Sequence, residues 1–474
     1  MSKLLKNTLL YTIGNLIISL SSFLLLPLYT SYLTVADFGI VSSMQIFSSI
    51  LVVFFTFAFE RSLVRVYHDY GDDKKKEFVG SIFVAIILIS AFVLSFCFLF
   101  HNQLNLIFTS IKFYPFFSYT IFYTFFLAIV GYCQTLFQVK QKVKSFLIVT
   151  LLLFFVTTFL NIFFIYHLKQ GAFGYVKGLL YGGIVVFPVC LFLIRDEIKI
   201  SLNRSMLMSA VVFSFPMFIS LIASWLLNLS DRVFIDHYFS QTDVGIYSLG
   251  YKIASIVTMG GMAVSMAYNP IFYQIVNTNE DSVAKTQITK YQNSLIIVFS
   301  ILTLLVIMWC DVIVKLFFPY AYLQSINVIS GLCIGFLISQ IAAFFNLMAY
   351  QKKKTVQVTI VTVTCAVFNI ALNYFFMQHY GYYTAVFSTI ASNALNLLLL
   401  FLLVKRSYYI PLNWFVVIFF VASLSVLSLL NNYFLNYKLI TIISTKVVIS
   451  LFFLALVYFN KEKIFGELLR RKRI

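Results

Sequence analysis

A chain of 474 residues that is 61% hydrophobic and only 11% charged lies far from the roughly half apolar, quarter charged balance of soluble domains. Its charges cluster between long apolar runs, which excludes a soluble globular protein. The net charge of +18 would suggest nucleic acid in a soluble chain, but here the cations lie in loops, where they set topology and meet anionic headgroups, so no nucleic-acid partner is expected.

Reading the apolar runs in order predicts an all-α integral membrane protein of about 14 transmembrane helices, near 7–28, 39–59, 79–100, 115–136, 146–166, 176–194, 207–229, 244–268, 292–310, 327–348, 355–376, 382–404, 413–430 and 439–459. The first run is too long for a signal-peptide core. With the N-terminus inside, 26 of the 34 Lys and Arg fall in or beside inner segments and six at outer ones, leaving Lys252 and Lys446 within spans. That alternation predicts cytoplasmic N- and C-termini. No loop exceeds about 25 residues, so function is expected within the bilayer. Six cysteines (97, 133, 190, 310, 333 and 365) lie in or beside apolar runs without a CxxC pair, and they read as small buried hydrophobes. The five histidines form no metal motif and no nucleotide-binding run occurs, so neither cofactor nor metal is expected.

The chain also matches itself. Residues 32–50 align without gaps on 238–256, with identities Tyr32/Tyr238, Asp37/Asp243, Gly39/Gly245, Ile40/Ile246, Ser42/Ser248, Ser49/Ser255 and Ile50/Ile256. A second match pairs the segment from Asn161 to His167 with that from Asn373 to His379. The offsets, 206 and 212, map the first span onto the seventh and the fifth onto the eleventh. Two parallel six-helix repeats facing a central cavity follow, with an N-terminal bundle over 1–200, a C-terminal bundle over 201–406, and two additional helices with a basic tail over 407–474.

The stretch from Pro27 to Gly39, PLYTSYLTVADFG, resembles the signature after the first helix of bacterial polysaccharide flippases. The run from Asn228 through Asp231 and Arg232 to Asp243-Val-Gly-Ile-Tyr-Ser248 is similar to the segment after their seventh helix, and Glu60 to Arg65 and the basic loop Lys140–Lys144 are similar too. The family is the polysaccharide transport branch of the multidrug/oligosaccharidyl-lipid/polysaccharide exporter superfamily. The resemblance implies a flippase, not an enzyme, of the bacterial cytoplasmic (inner) membrane. Its implied cargo is an undecaprenyl-diphosphate-linked oligosaccharide, moved to the outer leaflet at the expense of an ion gradient. Membrane lipids, a polysaccharide polymerase and a chain-length regulator are its implied partners.

A diphosphate crossing hydrocarbon needs cations, and its sugars need hydroxyl, amide and aromatic partners. Lys252, deep in the eighth span, shares a helical sector with Ser248, Tyr251, Ser255 and Thr258, a polar stripe that favours a wet interior over a snorkelled or structurally paired lysine. Asn15 belongs to a polar face of the first span that either lines substrate or packs helices. Arg61 and Arg232 complete the expected substrate contacts. Glu60 beside Arg61, Asp231 beside Arg232, and Asp236 are the expected gating or ion-coupling acids, against the alternative of interfacial charge pairs. Lys446 is expected to snorkel. The only deep ionisable groups expected in the repeat core are basic, which favours an anionic cargo over the organic cations of a multidrug exporter. A membrane polymerase acting on the same lipid-linked units is the reading from another class, and it lacks here the long outer loop such enzymes carry.

Overall fold

The computed structural model describes residues 21, 23–434 and 446, and among them every regular element is helical. Eleven helices are long and apolar enough to cross a membrane, and they fall in order on the second to twelfth expected spans. This is a multi-pass membrane protein. Asn15, the first span and the fourteenth lie outside the described residues, apart from the end of the first and Lys446. The chain divides into two compact units, Met1–Gly245 and Ile246–Ile474. The first therefore takes in a helix beyond the repeat boundary expected at 200.

In the first unit, α1 (Leu26–Tyr32) leads to α2 (Val35–Thr56), α3 (Phe59–Val66), α4 (Asp72–Leu99), α5 (Ser118–Val139), α6 (Val143–Ile162), α7 (Gly171–Ile194), α8 (Arg204–Leu229) and α9 (Asp231–Tyr238). Helix α10 (Gln241–Ala254) crosses the boundary between units. A core of Phe78, Ile82, Tyr132, Phe137, Phe146 and Val186 joins α4 to α7, and α8 packs on α2, α3 and α4. Between α2 and α3 the chain turns through two successive left-handed residues, Phe57 (φ 49°) and Ala58 (φ 56°). Such a conformation costs about 1–3 kcal/mol per non-glycine residue. The joint is held by the Ser214 hydroxyl, which donates to the Ala58 carbonyl at 3.2 Å, and by the stacking of Phe57 on Phe218 at 4.7 Å. It sets α3 apart from the spanning helix.

The N-terminal ends of α2 and α10 carry the same cap. Asp37 sits at the third position of α2 and accepts from the Thr34 hydroxyl at 2.7 Å, while Asp243 accepts from the Ser240 hydroxyl at 2.6 Å. The two helices also touch reciprocally. A Cβ on Gly39 would lie 1.9 Å from the Gln241 carbonyl oxygen, and a Cβ on Gly245 would lie 2.2 Å from the Val35 oxygen. Each of these three pairings (34/240, 35/241, 39/245) keeps the offset of 206 read from the sequence.

At the opposite end of this unit the three segments that the charge alternation places on one side converge. Lys140 and Lys142 both pair with Glu197, the Lys199 amide donates to the Lys76 carbonyl at 3.0 Å, and the ammonium groups of Lys75 and Lys140 lie 5.3 and 5.9 Å from the Tyr67 ring centre. Burial pushes the Glu197 carboxyl up, but hydrogen bonds and charge from Lys140 and Lys142 outweigh it and hold it below its ordinary 4.5.

The second unit contains α11 (Ile256–Thr278), α12 (Asp281–Phe317), α13 (Ser325–Gln351), α14 (Thr355–Tyr380), α15 (Thr384–Lys405) and α16 (Trp414–Phe434). Helix α13 is its centre, packed by α11, α12, α14, α15 and α16. Helix α12 has 37 residues and begins eleven before the expected span, because Ala284, Ile288 and Tyr291 continue a buried stripe past the apolar run. Two expectations are corrected here. Lys446 does not snorkel: its ammonium donates to Asp311 of α12 at 2.5 Å, with the side chains 5% and 0% exposed. Asp311 is thus a deep acid, so the deep ionisable groups are not all basic. A buried pair of this kind is costly to break, about 3–5 kcal/mol when one partner is removed.

Two outcomes follow. Gly39→Ala forces α2 and α10 apart and should cost about 1–3 kcal/mol of stability, as should Gly245→Ala. Gly131→Ala, where nothing lies within 4 Å of the new methyl, should be neutral. Melting of the detergent-solubilised variants checks this, and equal melting of Gly39→Ala and Gly131→Ala would refute the close crossing. Because the folded Glu197 carboxyl titrates below its unfolded value, its stabilisation is present above about pH 4.5 and is lost as pH falls through the lowered value. Glu197→Gln should therefore cost about 1–2 kcal/mol at neutral pH, with the gap to the native protein closing on acidification.

Candidate functional site

The end of the first unit where α2 and α10 begin gathers most of the acids singled out in the sequence. Helix α9 continues from α8 after Ser230 and carries Asp231, Arg232 and Asp236, all buried to 2% exposure or less. The Arg232 guanidinium donates to the Asn228 carbonyl at 3.2 Å, one turn back. Asp236 accepts from the hydroxyl of Ser110, in the segment between α4 and α5, and from the Gln241 side-chain amide; the Ser110 backbone amide adds a third donor at 3.4 Å. Gln241 in turn accepts from the Ser43 hydroxyl of α2 at 3.4 Å. The result is a polar knot in which one carboxylate ties α9 and the start of α10 to the segment before α5, and through Gln241 to α2. Sequence reasoning missed Ser110, Gln241 and Ser43: Ser110 lies 126 residues from Asp236 and Ser43 lies 198 from Gln241, and nothing local marks Gln241, five residues past Asp236, as the link between them.

Glu60 and Arg61 lie at the other end of α2, on α3 and beyond the left-handed joint. At 1.5 Å per residue the 22-residue α2 separates them from the knot by about 33 Å. Glu60 is half-buried and Arg61 exposed. Burial raises the Glu60 carboxyl above its ordinary value, partly offset by hydrogen bonds from its own backbone and Thr56 and by the charge of Arg61. A carboxyl raised in this way binds a proton more readily than an open one.

Lys252, Ser248, Tyr251 and Ser255 belong to the second unit and occupy the last turns of α10. The Ser255 hydroxyl donates to the Lys252 carbonyl at 2.6 Å, and Ser255 itself keeps helical φ and ψ where α10 passes into α11. Ser255 therefore spends its hydroxyl on the backbone. Tyr251 meets the edge of Phe336 at 5.1 Å, and its ring is half-buried beside the half-buried Lys252. Ser248, one turn earlier on the same face, is 2% exposed with no hydrogen-bond partner for its hydroxyl. From the start of α10, Lys252 lies about 16 Å along the axis. Among the described residues no group of His, Cys, Asp and Glu could hold a metal.

Residues 4–276, more than half of the chain, match the family described as polysaccharide biosynthesis protein, and residues 216–375 match MatE. A Haemophilus influenzae protein called Lsg locus putative protein 1 is 24% identical over 278 residues, covering 57% of this chain and 66% of that protein. An uncharacterized membrane protein of the same organism is 24% identical over 283 residues, with coverage of 57% and 65%. The chain thus spans just under two thirds of the length of these relatives. The fold resembles that of a solved lipid II flippase MurJ in an inward closed conformation, with a TM-score of 0.74 at 14% identity over 97% of this chain and 100% of that one. It also resembles an inward-facing multidrug resistance MATE family transporter, with a TM-score of 0.62 at 14% identity over 83% and 99%. These neighbours are transporters, not enzymes. The chain belongs to the polysaccharide biosynthesis protein family, within the multidrug/oligosaccharidyl-lipid/polysaccharide exporter superfamily.

Proposed function

We propose that this protein is a flippase that carries an undecaprenyl-diphosphate-linked oligosaccharide from the inner to the outer leaflet of a bacterial cytoplasmic membrane, by ion-coupled alternating access between two six-helix repeats. The observation that carries the reading is on α10: a half-buried lysine one turn from a buried, unpartnered hydroxyl, inside a membrane-crossing element of this family. A cation held at that depth is expensive unless it is paired or faces a polar cavity, and a diphosphate is the anion that such a lipid-linked cargo presents. The repeat-related caps and reciprocal glycine contacts support a duplicated architecture, and hydropathy with the alternation of cations supports fourteen spans with both termini cytoplasmic, in bundles divided near residues 200 and 406.

In this reading Lys252, with Arg232 and Arg61, meets the diphosphate, while Asn15, Ser248 and Tyr251 serve the sugars. Ser255 completes the same stripe, its hydroxyl held on the Lys252 carbonyl. Asp236, Asp231 and Glu60 are the gating or coupling acids, and a polymerase and chain-length regulator act on the delivered unit. A multidrug exporter of the same fold is the second reading, favoured by the MatE match over 216–375 and by the buried acids Asp231, Asp236 and Asp311. The pairing of Asp311 with Lys446 offsets the charge of one of those acids.

The test is export of surface polysaccharide in a flippase-null host, with membrane protein level measured for each variant. Lys252→Met should lose at least about tenfold in export at normal abundance, and Lys252→Arg should retain part of it, since the charge survives in a wider fork. Full export by Lys252→Met at normal abundance would exclude a substrate contact. Efflux of organic cations without any polysaccharide export would replace the flippase reading with the exporter.

A further inference from the structure

A second polar site lies at the end of the first unit that the charge alternation places inside. Helix α3, the turn that follows it and the first turns of α8 border an open groove of about 1060 Å³, lined by Arg65, Asp69, Arg204, Ser205 and Ser209 at its polar end and by Met208, Val212 and Phe213 beyond. Its walls are fixed. The Tyr70 hydroxyl shares a hydrogen bond of 2.9 Å with that of Ser209, Arg65 is held at the rim by Asp69 at 3.0 Å, and Asn203 caps α8 by accepting from the amides of Ser205 and Met206. An exposed apolar track leaves the groove along one face of α8: Met208 (62% exposed), Val212 (64%), Phe215 (50%) and Ile219. From Arg204 to Ile219 it runs about 22 Å, more than the depth of one leaflet of a hydrocarbon core about 30 Å thick.

We infer that this groove binds an anionic phospholipid of the inner leaflet, its phosphodiester on Arg204 and Arg65 and an acyl chain along the α8 track. Charge selects the occupant. Arg65, Arg204 and Asp69 sum to one net positive charge, which matches the single negative charge of a phosphodiester and undercompensates a diphosphate. Position agrees, because anionic lipids enrich the inner leaflet and attract cations at its surface. The site is independent of the cargo carried, and nothing in it touches α10.

Native mass spectrometry of the whole protein released from bilayers of phosphatidylglycerol and phosphatidylcholine in equal parts reads it directly. The native protein should retain phosphatidylglycerol selectively. Arg204→Gln should lower retention about fivefold, the worth of one cation at an anionic surface, with melting unchanged. The double variant Arg65→Gln/Asp69→Asn keeps the net charge and should stay within about twofold of native, since Arg204 remains. Met208→Glu, at an exposed position that folding tolerates, should abolish retention by placing an acid in the groove. Arg406→Gln, a cation outside it, should change nothing. Equal retention of the two lipids, or native retention by Arg204→Gln and Met208→Glu, would overturn the site. Displacement by a polyprenyl diphosphate at lower concentration than by phosphatidylglycerol would also overturn it, in favour of a station for cargo.

Discussion

The reciprocal approach of α2 and α10 at their N-terminal ends is the contact on which the first unit depends. Two glycines place each backbone against the carbonyl of the other, Gly39 on Gln241 and Gly245 on Val35, at distances no side chain would permit. In a membrane there is little hydrophobic gain from joining helices, so association relies on close van der Waals packing, and small residues are what allow it. The caps at Thr34 and Ser240 fix where each helix starts and hence where its glycine falls. The crossing also explains why the first compact unit runs to Gly245. It draws the first turn of α10, and α8 and α9 before it, onto the helices that precede them in sequence.

Much of this was legible in the sequence. Hydropathy located every long helix among the described residues, because an apolar run of about 20 residues has few alternatives. The count of cations placed Lys76, Lys140 and Lys199 on one side, and the structure brings their segments together around Glu197 and Tyr67. Self-alignment found Gly39 and Gly245 as equivalent positions, though not what makes glycine necessary there. The illegible parts were of another kind. The joint at Phe57 and Ala58 has neither glycine nor proline to announce it, and it is imposed by aromatic packing against α8. The pairing of Asp311 with Lys446 spans 135 residues, so window-based reading sees an acid at the edge of one run and a lone base within another. Lys446 was read as snorkelling to the interface, whereas its ammonium is buried against Asp311.

The candidate site divides in the same way. The stripe of Ser248, Tyr251 and Lys252 followed from helical periodicity, but the Ser255 hydroxyl on the same stripe is spent on its own helix, since a serine one turn on can donate back to a backbone carbonyl. Asp236 was picked out as an acid near an outer loop. Its worth lies in three donors that only tertiary structure supplies, and they make a buried carboxylate tolerable without an adjacent cation.

These contacts differ in what separating them costs. The oxygens of Val35 and Gln241 already accept hydrogen bonds within their own helices, so parting α2 from α10 forfeits packing but orphans no polar group. The Asp236 knot lies at a loop end where water can replace the Ser110 and Gln241 donors one for one, which makes the net change small. Asp311 and Lys446 are enclosed in the second unit, and losing either would strand the other in low dielectric. The pair is therefore the contact least able to open, and it holds Lys446 to α12 while packing and water-replaceable contacts part at lower cost.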